Sequence, residues 1–475
     1  MFKYIQVSSG TDEEYVDHLC DRVEDSINQG FLPIDIFNDE AVFRAEMERI
    51  YTRNWIFVAH ETEIPNKGDY VLRRLGLDKV IVTRDSEDKI NVLLNHCRHR
   101  GTEVCHNDKG NAASFKCPYH GWVYKNNGDW MGAPHMKDAY GGKLDAKEWG
   151  LLRAAKVESV YGFIFASLNE DVPPLREYLG ASMWALDAIF GIHPDGVKLL
   201  KEPERFQVKA DWKSGAENFC GDAYHVSTAH MSAAGAGFIP SVNQVSTHAS
   251  GYDFGHGNSF IGHNLSEMIG VPLPIWGYPP EIQQQFDLSK LDETQIKMIK
   301  EIPPTIGTIF PNFSYMRLPH PPAPGEMPIP FTNIRMWQPV SPGVMELWNY
   351  EFEFSFVPDE YAEKAYAAGQ YAFGSGGIFE ADDTAVWEGI AKGAQSPWLR
   401  KEQVNLHYSQ KQTGKDPAWT GPGEFHPSIY GEYCQIEFWR RWLKEMRDGK
   451  KTAVKCSADP ELHTESNAEQ EKGVA

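Results

Sequence analysis

Hydrophobic and polar positions change period along the chain, and the changes divide it. Over residues 11–29, Val16, Leu19, Val23 and Ile27 recur at helical spacing, with Thr11 and Glu14 as a capping box and Gly30 as a stop. A second helix is expected after Asn38, running into the aromatic stretch IYTRNWIFV. The period then shortens. DYVLRRLGLDKVIVTRD predicts two strands around a turn, KINVLLNHC a third, and LLRAAKVESVYGFIFASL two more, so a small β domain closes near residue 165. Farther on, Tyr350, Phe352, Phe354 and Phe356 alternate with Glu351, Glu353 and Ser355, the pattern of a half-buried antiparallel strand. Residues 359–373 and 434–448 read as helices, 320–330 as a proline-rich loop, and 456–475, without aromatics, as a mobile tail. No internal repeat is evident. The sum is an α+β chain with a small β domain placed early.

Composition narrows the class. A length of 475 residues suits two or three domains. The net charge of −20 argues against nucleic acid and against an anionic membrane surface. No run of ~18 apolar residues predicts a membrane span, and the N-terminus lacks the basic start and apolar middle of a signal peptide. Seven cysteines are too few for a disulfide framework, so a reducing cytoplasm is expected, where clustered cysteines are metal candidates.

The cysteines cluster in residues 95–124, NHCRHRGTEVCHNDKGNAASFKCPYHGWVY. Two short clips stand out there: Cys97-Arg-His99 and Cys117-Pro-Tyr-His120, separated by seventeen residues. Structural zinc sites usually keep cysteines in one clip and histidines in the other. Here each clip is mixed. A Rieske [2Fe-2S] cluster needs two thiolates on one iron and two imidazoles on the other, which two such loops facing each other supply. Pro118 stiffens the second loop, Gly121 permits a close turn, and Trp122 can shield the cluster from water. His96, Cys105 and His106 fit neither clip and read as loop or packing residues. Zinc bound by Cys97, His99, Cys117 and His120 is the alternative.

The motif CRHRG…CPYHGW resembles that of the α subunits of Rieske non-haem iron aromatic-ring-hydroxylating dioxygenases, of the naphthalene, biphenyl and phthalate type. That resemblance spans about residues 40–445 and implies a mononuclear iron farther on. It also implies the fold: a small all-β Rieske domain (41–165) near the N-terminus of a helix-grip catalytic domain (166–455), with residues 1–40 a helical segment packed on the latter. TIFPNFS (308–314) and IRMWQPVSPGVMELW (334–348) look like that domain's sheet strands.

SGAENFCGDAYHVSTAH (214–230) contains Asp222, His225 and His230 in the spacing D-x-x-H-x-x-x-x-H. Five residues lie ~140° apart on a regular helix, so a distortion such as a π-bulge is implied if both histidines bind one ion. Non-haem iron that activates O2 takes two histidines and one carboxylate. GGIFEADDTAVWEG (376–389) resembles the family's third-ligand segment. There the second aspartate binds, which makes Asp383 the choice and Asp382 the near alternative, with Glu380 and Glu388 left as surface or helix-end carboxylates. Asp222, sharing a helix face with His225, matches the aspartate that links this iron to a Rieske histidine of the neighbouring subunit; the plain alternative is a helix N-cap. Asn218 and Phe219 then line the substrate pocket. Phe379 joins them or is simply core. Cys220 reads as a small buried hydrophobe.

The resemblance implies an enzyme. Electrons from NAD(P)H pass through a separate reductase and ferredoxin to the Rieske cluster, and O2 is used at mononuclear Fe(II) to form a cis-dihydrodiol on an aromatic ring. No G-x-G-x-x-G unit follows a strand to bind the nicotinamide here. The implied assembly is α3β3 with a small β subunit, or an α3 trimer, with electron transfer across the α–α interface. A monooxygenase or O-demethylase using the same irons, and a non-catalytic electron carrier that binds small molecules, are the rivals. An aromatic carboxylate substrate calls for a pocket cation, for which Arg317 and Arg335 are candidates.

Overall fold

The structure, a computed structural model, describes residues 10–235, 249–409, 415–427 and 430–450, and the 456–475 tail lies outside them. The described residues form two compact units, one of residues 51–175 and a larger one drawn from residues 10–50 and 176–450.

The small unit is all β apart from short helical turns. Ile90–Leu94, Asp78–Arg84, Asp69–Leu75 and Lys109–Asn111 form one antiparallel sheet, and Ser114–Lys116, Val123–Lys125 and Trp130–Gly132 a second. Lys156–Val160, Phe163–Ser167 and Ile56–His60 form a third. The expected hairpin, third strand and closing pair are all present. Their inward faces bury Ile81, Leu93, Phe115, Trp122, Tyr124 and Trp130 around Cys97 and Cys117.

Both unit boundaries fall later than the expected 41 and 165. The Glu40–Glu46 helix, capped by Asp39, belongs to the large unit because Glu46 is anchored there. Its carboxylate is fully buried, pairs with Lys213 Nζ at 2.6 Å and accepts from the indoles of Trp212 and Trp442. At the other end, residues beyond 165 stay with the small unit: Trp55 donates to the Pro173 carbonyl and Lys156 to that of Val172.

The large unit is an antiparallel sheet gripped by helices. Val344–Phe354 pairs with Ile329–Ser341, then in order come Phe313–His320, Pro304–Ile309, Ser259–His263, Ala249–Asp253 and Glu424–His426. Val197–Leu199 and Glu204–Val208 both pair with the other edge of Val344–Phe354. The Gly10–Ile27 helix buries Val16, Leu19, Val23 and Ile27 as the spacing predicts. Asp359–Phe373 and Tyr433–Asp448 are helices.

One reading fails here. The strand through Tyr350 is not half-buried: Glu351 and Glu353 are as enclosed as the aromatics they alternate with. The Asp359–Phe373 helix covers their face closely; a Cβ on Gly369 would come 2.4 Å from Glu351 Oε2. Buried polar partners make this tolerable. Asn333 donates to Glu351 at 2.9 Å, and the Tyr278 hydroxyl to Glu353 at 2.7 Å. No helix among the described residues is long and apolar enough to cross a membrane.

Candidate metal centres

In the small unit the two clips adopt the same turn. Cys97 N donates to Thr102 O and Gly101 N to Cys97 O; Cys117 N donates to Trp122 O and Gly121 N to Cys117 O. Each loop reverses on a glycine in the left-handed region, Gly101 at φ 76° and Gly121 at φ 73°. The sulfurs are buried, and burial raises the Cys97 thiol pKa, with neighbouring Cys117 adding to the shift. The imidazoles of His99 and His120 meet edge to face at 4.5 Å, with His120 exposed. His99 lies flat on Trp122, 5.2 Å away and 8° from parallel. Its Nδ1 is buried without a hydrogen-bond partner. Two inward thiols, two outward imidazoles and an orphaned ring nitrogen fit a [2Fe-2S] cluster bound asymmetrically. The Tyr124 hydroxyl sits 3.2 Å from Cys97 Sγ and accepts from Arg98 N at 3.0 Å. His96 turns back to the Gly101 carbonyl, Cys105 packs inside, and His106 faces Glu103.

In the large unit His225, His230 and Asp383 converge. His225 Nε2 and His230 Nε2 are 3.3 Å apart, and Asp383 Oδ1 lies 3.4 and 3.3 Å from them. That near-equilateral triangle matches one face of an octahedron, whose adjacent donors sit roughly 3 Å apart around a first-row ion. Asp383 is buried, and its Oδ1 has no hydrogen-bond donor. A buried, unbonded carboxylate oxygen facing two imidazole nitrogens is a donor set for a cation.

No π-bulge aligns the histidines; the π turn lies elsewhere, at Met47–Tyr51. Instead the Trp212–Asn218 helix ends, and the chain turns through Gly221 at φ 130°. A single helical turn, Val226–Ala229, then runs between His225 and His230. His230, at φ −94° and ψ 23°, has already left it. Placing the two rings at opposite ends of one turn achieves what a regular helix cannot at this spacing. Asp222 accordingly lies in the turn rather than on a helix face. Its Oδ1 accepts from His225 N, and its Oδ2 lies 3.2 Å from His225 Nδ1, so it holds the turn and orients the ring at once.

Asp382, the alternative ligand, faces away from the triangle. Its Oδ2 lies 3.4 Å from His230 Nδ1 and accepts from the Ser232 hydroxyl. Each imidazole of the triangle thus has a carboxylate behind its far nitrogen, which fixes ring and tautomer. Burial disfavours charge on both rings. At His225 the carboxylates of Asp222 and Asp383 overcome it and hold the pKa well above the ordinary value; at His230 burial prevails and lowers it.

Asn218 Nδ2 reaches Asp222 Oδ2 at 3.4 Å. Phe379 packs edge-on to His230, 5.0 Å between centroids, with Phe373 beyond it at 5.1 Å. Phe219 packs on Trp337 and under the Arg335 guanidinium. Cys220 is buried. Glu380 is not a surface group: it is 1% exposed and pairs with Arg335 at 2.6 Å. Glu388 faces Lys392. Arg317 is likewise buried and engaged, donating to Thr332 and the Ile189 carbonyl. The residues missed from sequence were Tyr124, Phe373 and the role of Asp382. For Asp382 the only signal was its place beside Asp383.

Comparison with known proteins agrees with these centres. The Rieske [2Fe-2S] domain family matches residues 54–152, and the catalytic domain of ring-hydroxylating α subunits matches residues 175–414. The chain belongs to the Rieske ring-hydroxylating oxygenase α subunits. This α subunit is 55% identical over 457 residues to the N,N-dimethyl phenylurea N-demethylase subunit alpha of Sphingobium sp. (strain YBL2), spanning 96% of this chain and all of that one. It is 31% identical to the biphenyl 2,3-dioxygenase subunit alpha of Rhodococcus jostii (strain RHA1), covering 88% and 89% of the two chains. Among solved structures it resembles indole-bound naphthalene 1,2-dioxygenase from Rhodococcus sp., with a TM-score of 0.84, 34% identity, and 92% and 98% of the chains covered. An α subunit of this family carries a Rieske cluster and a mononuclear non-haem iron, and the Rieske all-β domain and helix-grip catalytic domain are its fold.

Proposed function

We propose that this α subunit oxidatively removes an N-methyl group from an uncharged aromatic amide or urea. Cys97, His99, Cys117 and His120 hold the [2Fe-2S] cluster, and His225, His230 and Asp383 hold the mononuclear iron. The observation that carries the reading is the likeness to an N-demethylase subunit, far higher in identity than that to the dioxygenases. The state of the two arginines weighed for a carboxylate substrate supports it. The two candidate cations, Arg317 and Arg335, are bound within the protein, Arg335 by Glu380, so neither is left to meet an aromatic carboxylate.

The iron, when bound, supplies O2 activation. The protein supplies the rest. Asp222 and Asp382 face the Nδ1 atoms of His225 and His230 and so turn both Nε2 atoms toward one point. Phe379 and Phe373 wall one side with apolar surface and keep water from it. In balance, the N-methyl compound, O2, two electrons and two protons give an N-hydroxymethyl compound and water. The former then splits into the demethylated nitrogen and formaldehyde.

The electrons come from NAD(P)H through a reductase and a ferredoxin, and Asp222 links this iron to the cluster of a neighbouring copy in an α3 or α3β3 assembly. A second reading, cis-dihydroxylation of an aromatic ring, is favoured by the likeness to naphthalene dioxygenase. Reconstitution with reductase, ferredoxin and NADH on N,N-dimethyl phenylurea and on naphthalene separates the two. Formaldehyde in step with O2 uptake on the urea supports demethylation. A cis-dihydrodiol from naphthalene without formaldehyde from the urea supports the second reading.

A further inference from the structure

Arg335 joins the segments around the mononuclear site. It is wholly buried on the Ile329–Ser341 strand, yet its guanidinium is tied on several sides. Nη1 meets Glu380 Oε2 at 2.6 Å, Nε donates to Asn333 Oδ1 at 2.7 Å, and Nη2 reaches the Phe373 carbonyl. Its two closest rings are Phe219, at 5.4 Å, and Phe373, at 5.3 Å. Phe219 follows the helix that leads to Asp222, and Phe373 ends the Asp359–Phe373 helix. Glu380 opens the Glu380–Ala394 helix, whose first turn carries Asp382 and Asp383. Asn333, in turn, is held by Asn349 and Glu351 on the neighbouring strand.

We infer that Arg335 is a positioning residue for the metal centre: through Glu380 it pins the first turn of the Glu380–Ala394 helix to the sheet and thereby sets where the Asp383 carboxylate stands. The reason is geometric. Asp383 has no hydrogen bond to fix its Oδ1, so its location depends on the backbone of that turn. The turn's own link is Asp383 N to the Phe379 carbonyl, which holds the helix together but not to the sheet. The Arg335–Glu380 pair makes that second link. A planar fork reaching Glu380, Asn333 and a carbonyl together does what an ammonium cannot.

The inference rests on His225, His230 and Asp383 being the ligands, and the test keeps the two apart. Co(II) affinity of the mononuclear site is measured on purified full-length protein depleted of that metal. The variants are Arg335→Lys, the double Arg335→Met/Glu380→Leu, and Asp383→Ala. The double variant replaces the buried pair with apolar groups of similar size, which such sites tolerate in stability. Arg335→Lys and the double variant are expected to keep the Rieske absorption spectrum. Both are expected to bind Co(II) more weakly by about tenfold, within the range for loss of a supporting contact. If the double variant melts like the parent and binds Co(II) within about threefold of it, the pair is structural only and the inference is overturned. If Asp383→Ala retains the parental affinity, it is the ligand assignment that fails.

Discussion

Tyr124→Phe removes one oxygen from the wall of the cluster site, and its effect can be worked out. Tyr124 is fully buried, and burial holds its hydroxyl far above the ordinary phenol pKa, so it stays protonated. Its oxygen accepts from Arg98 N at 3.0 Å, which leaves the proton to point along the 3.2 Å approach to Cys97 Sγ. When Cys97 is a thiolate ligand the sulfur has no proton of its own, so the phenol must donate. A hydrogen bond to a charged acceptor contributes about 1.5–3 kcal/mol, against about 1 kcal/mol for a neutral pair. Adding an electron to the cluster raises the charge on its sulfurs and strengthens the bond, by about 1 kcal/mol on this scale. For one electron that is ~40 mV. The variant should therefore be harder to reduce, with its midpoint potential lower by ~40 mV and cluster content unchanged. A dithionite titration followed by electron paramagnetic resonance measures this. An unchanged or higher potential in a fully loaded variant would refute the assignment of Cys97 as a ligand beneath this hydroxyl.

Asp383→Ala should strip the mononuclear iron while leaving the Rieske optical spectrum intact, which iron analysis and absorption together would show. Asp222→Ala should keep the cluster, weaken the mononuclear site no more than about tenfold through the lost His225 contact, and abolish turnover even when that site is saturated. Full turnover would remove Asp222 from the electron path. Glu217 is buried, and burial pushes its pKa up to about 8 despite hydrogen bonds from Tyr408 and Trp439. The folded state therefore holds a proton that the unfolded chain releases, so stability falls as pH rises from about 4.5 to about 8. Glu217→Gln should flatten that part of the thermal-unfolding profile, and a profile as steep as the parent's would contradict it.

The parts of this molecule legible in its sequence are those where spacing is the chemistry. Cys97-x-His99 and Cys117-x-x-His120 name a mixed ligand set before any fold is known, and the two loops do fold alike. The longer strands of the small unit were legible because runs rich in β-branched and aromatic residues sit between turn residues, even where, as at Ile56–His60 and Phe163–Ser167, the strand is buried throughout. The His225–His230 interval implied a distortion, but its kind was not readable: Gly221 is only one residue in the stretch, and that it takes φ 130° close against Ile261 shows only in three dimensions. Glu351 and Glu353 were misread, and Glu380 was read as a surface or helix-end group of which only the helix end holds, because a carboxylate's partners come from distant strands and helices. Arg335 lies forty-five residues before the Glu380 that it meets, and neither signals the other. Asp382 and Asp383 differ by one step on a helix, and only the three-dimensional turn decides which faces the imidazoles.

The central claim is that one chain carries a histidine-ligated [2Fe-2S] cluster and a separate mononuclear iron, and iron counting joined to electron paramagnetic resonance tests it most directly. The account predicts about three iron atoms per chain and, after dithionite, a rhombic signal from the cluster. A preparation with full metal but zinc in place of iron, or without that signal, would contradict it.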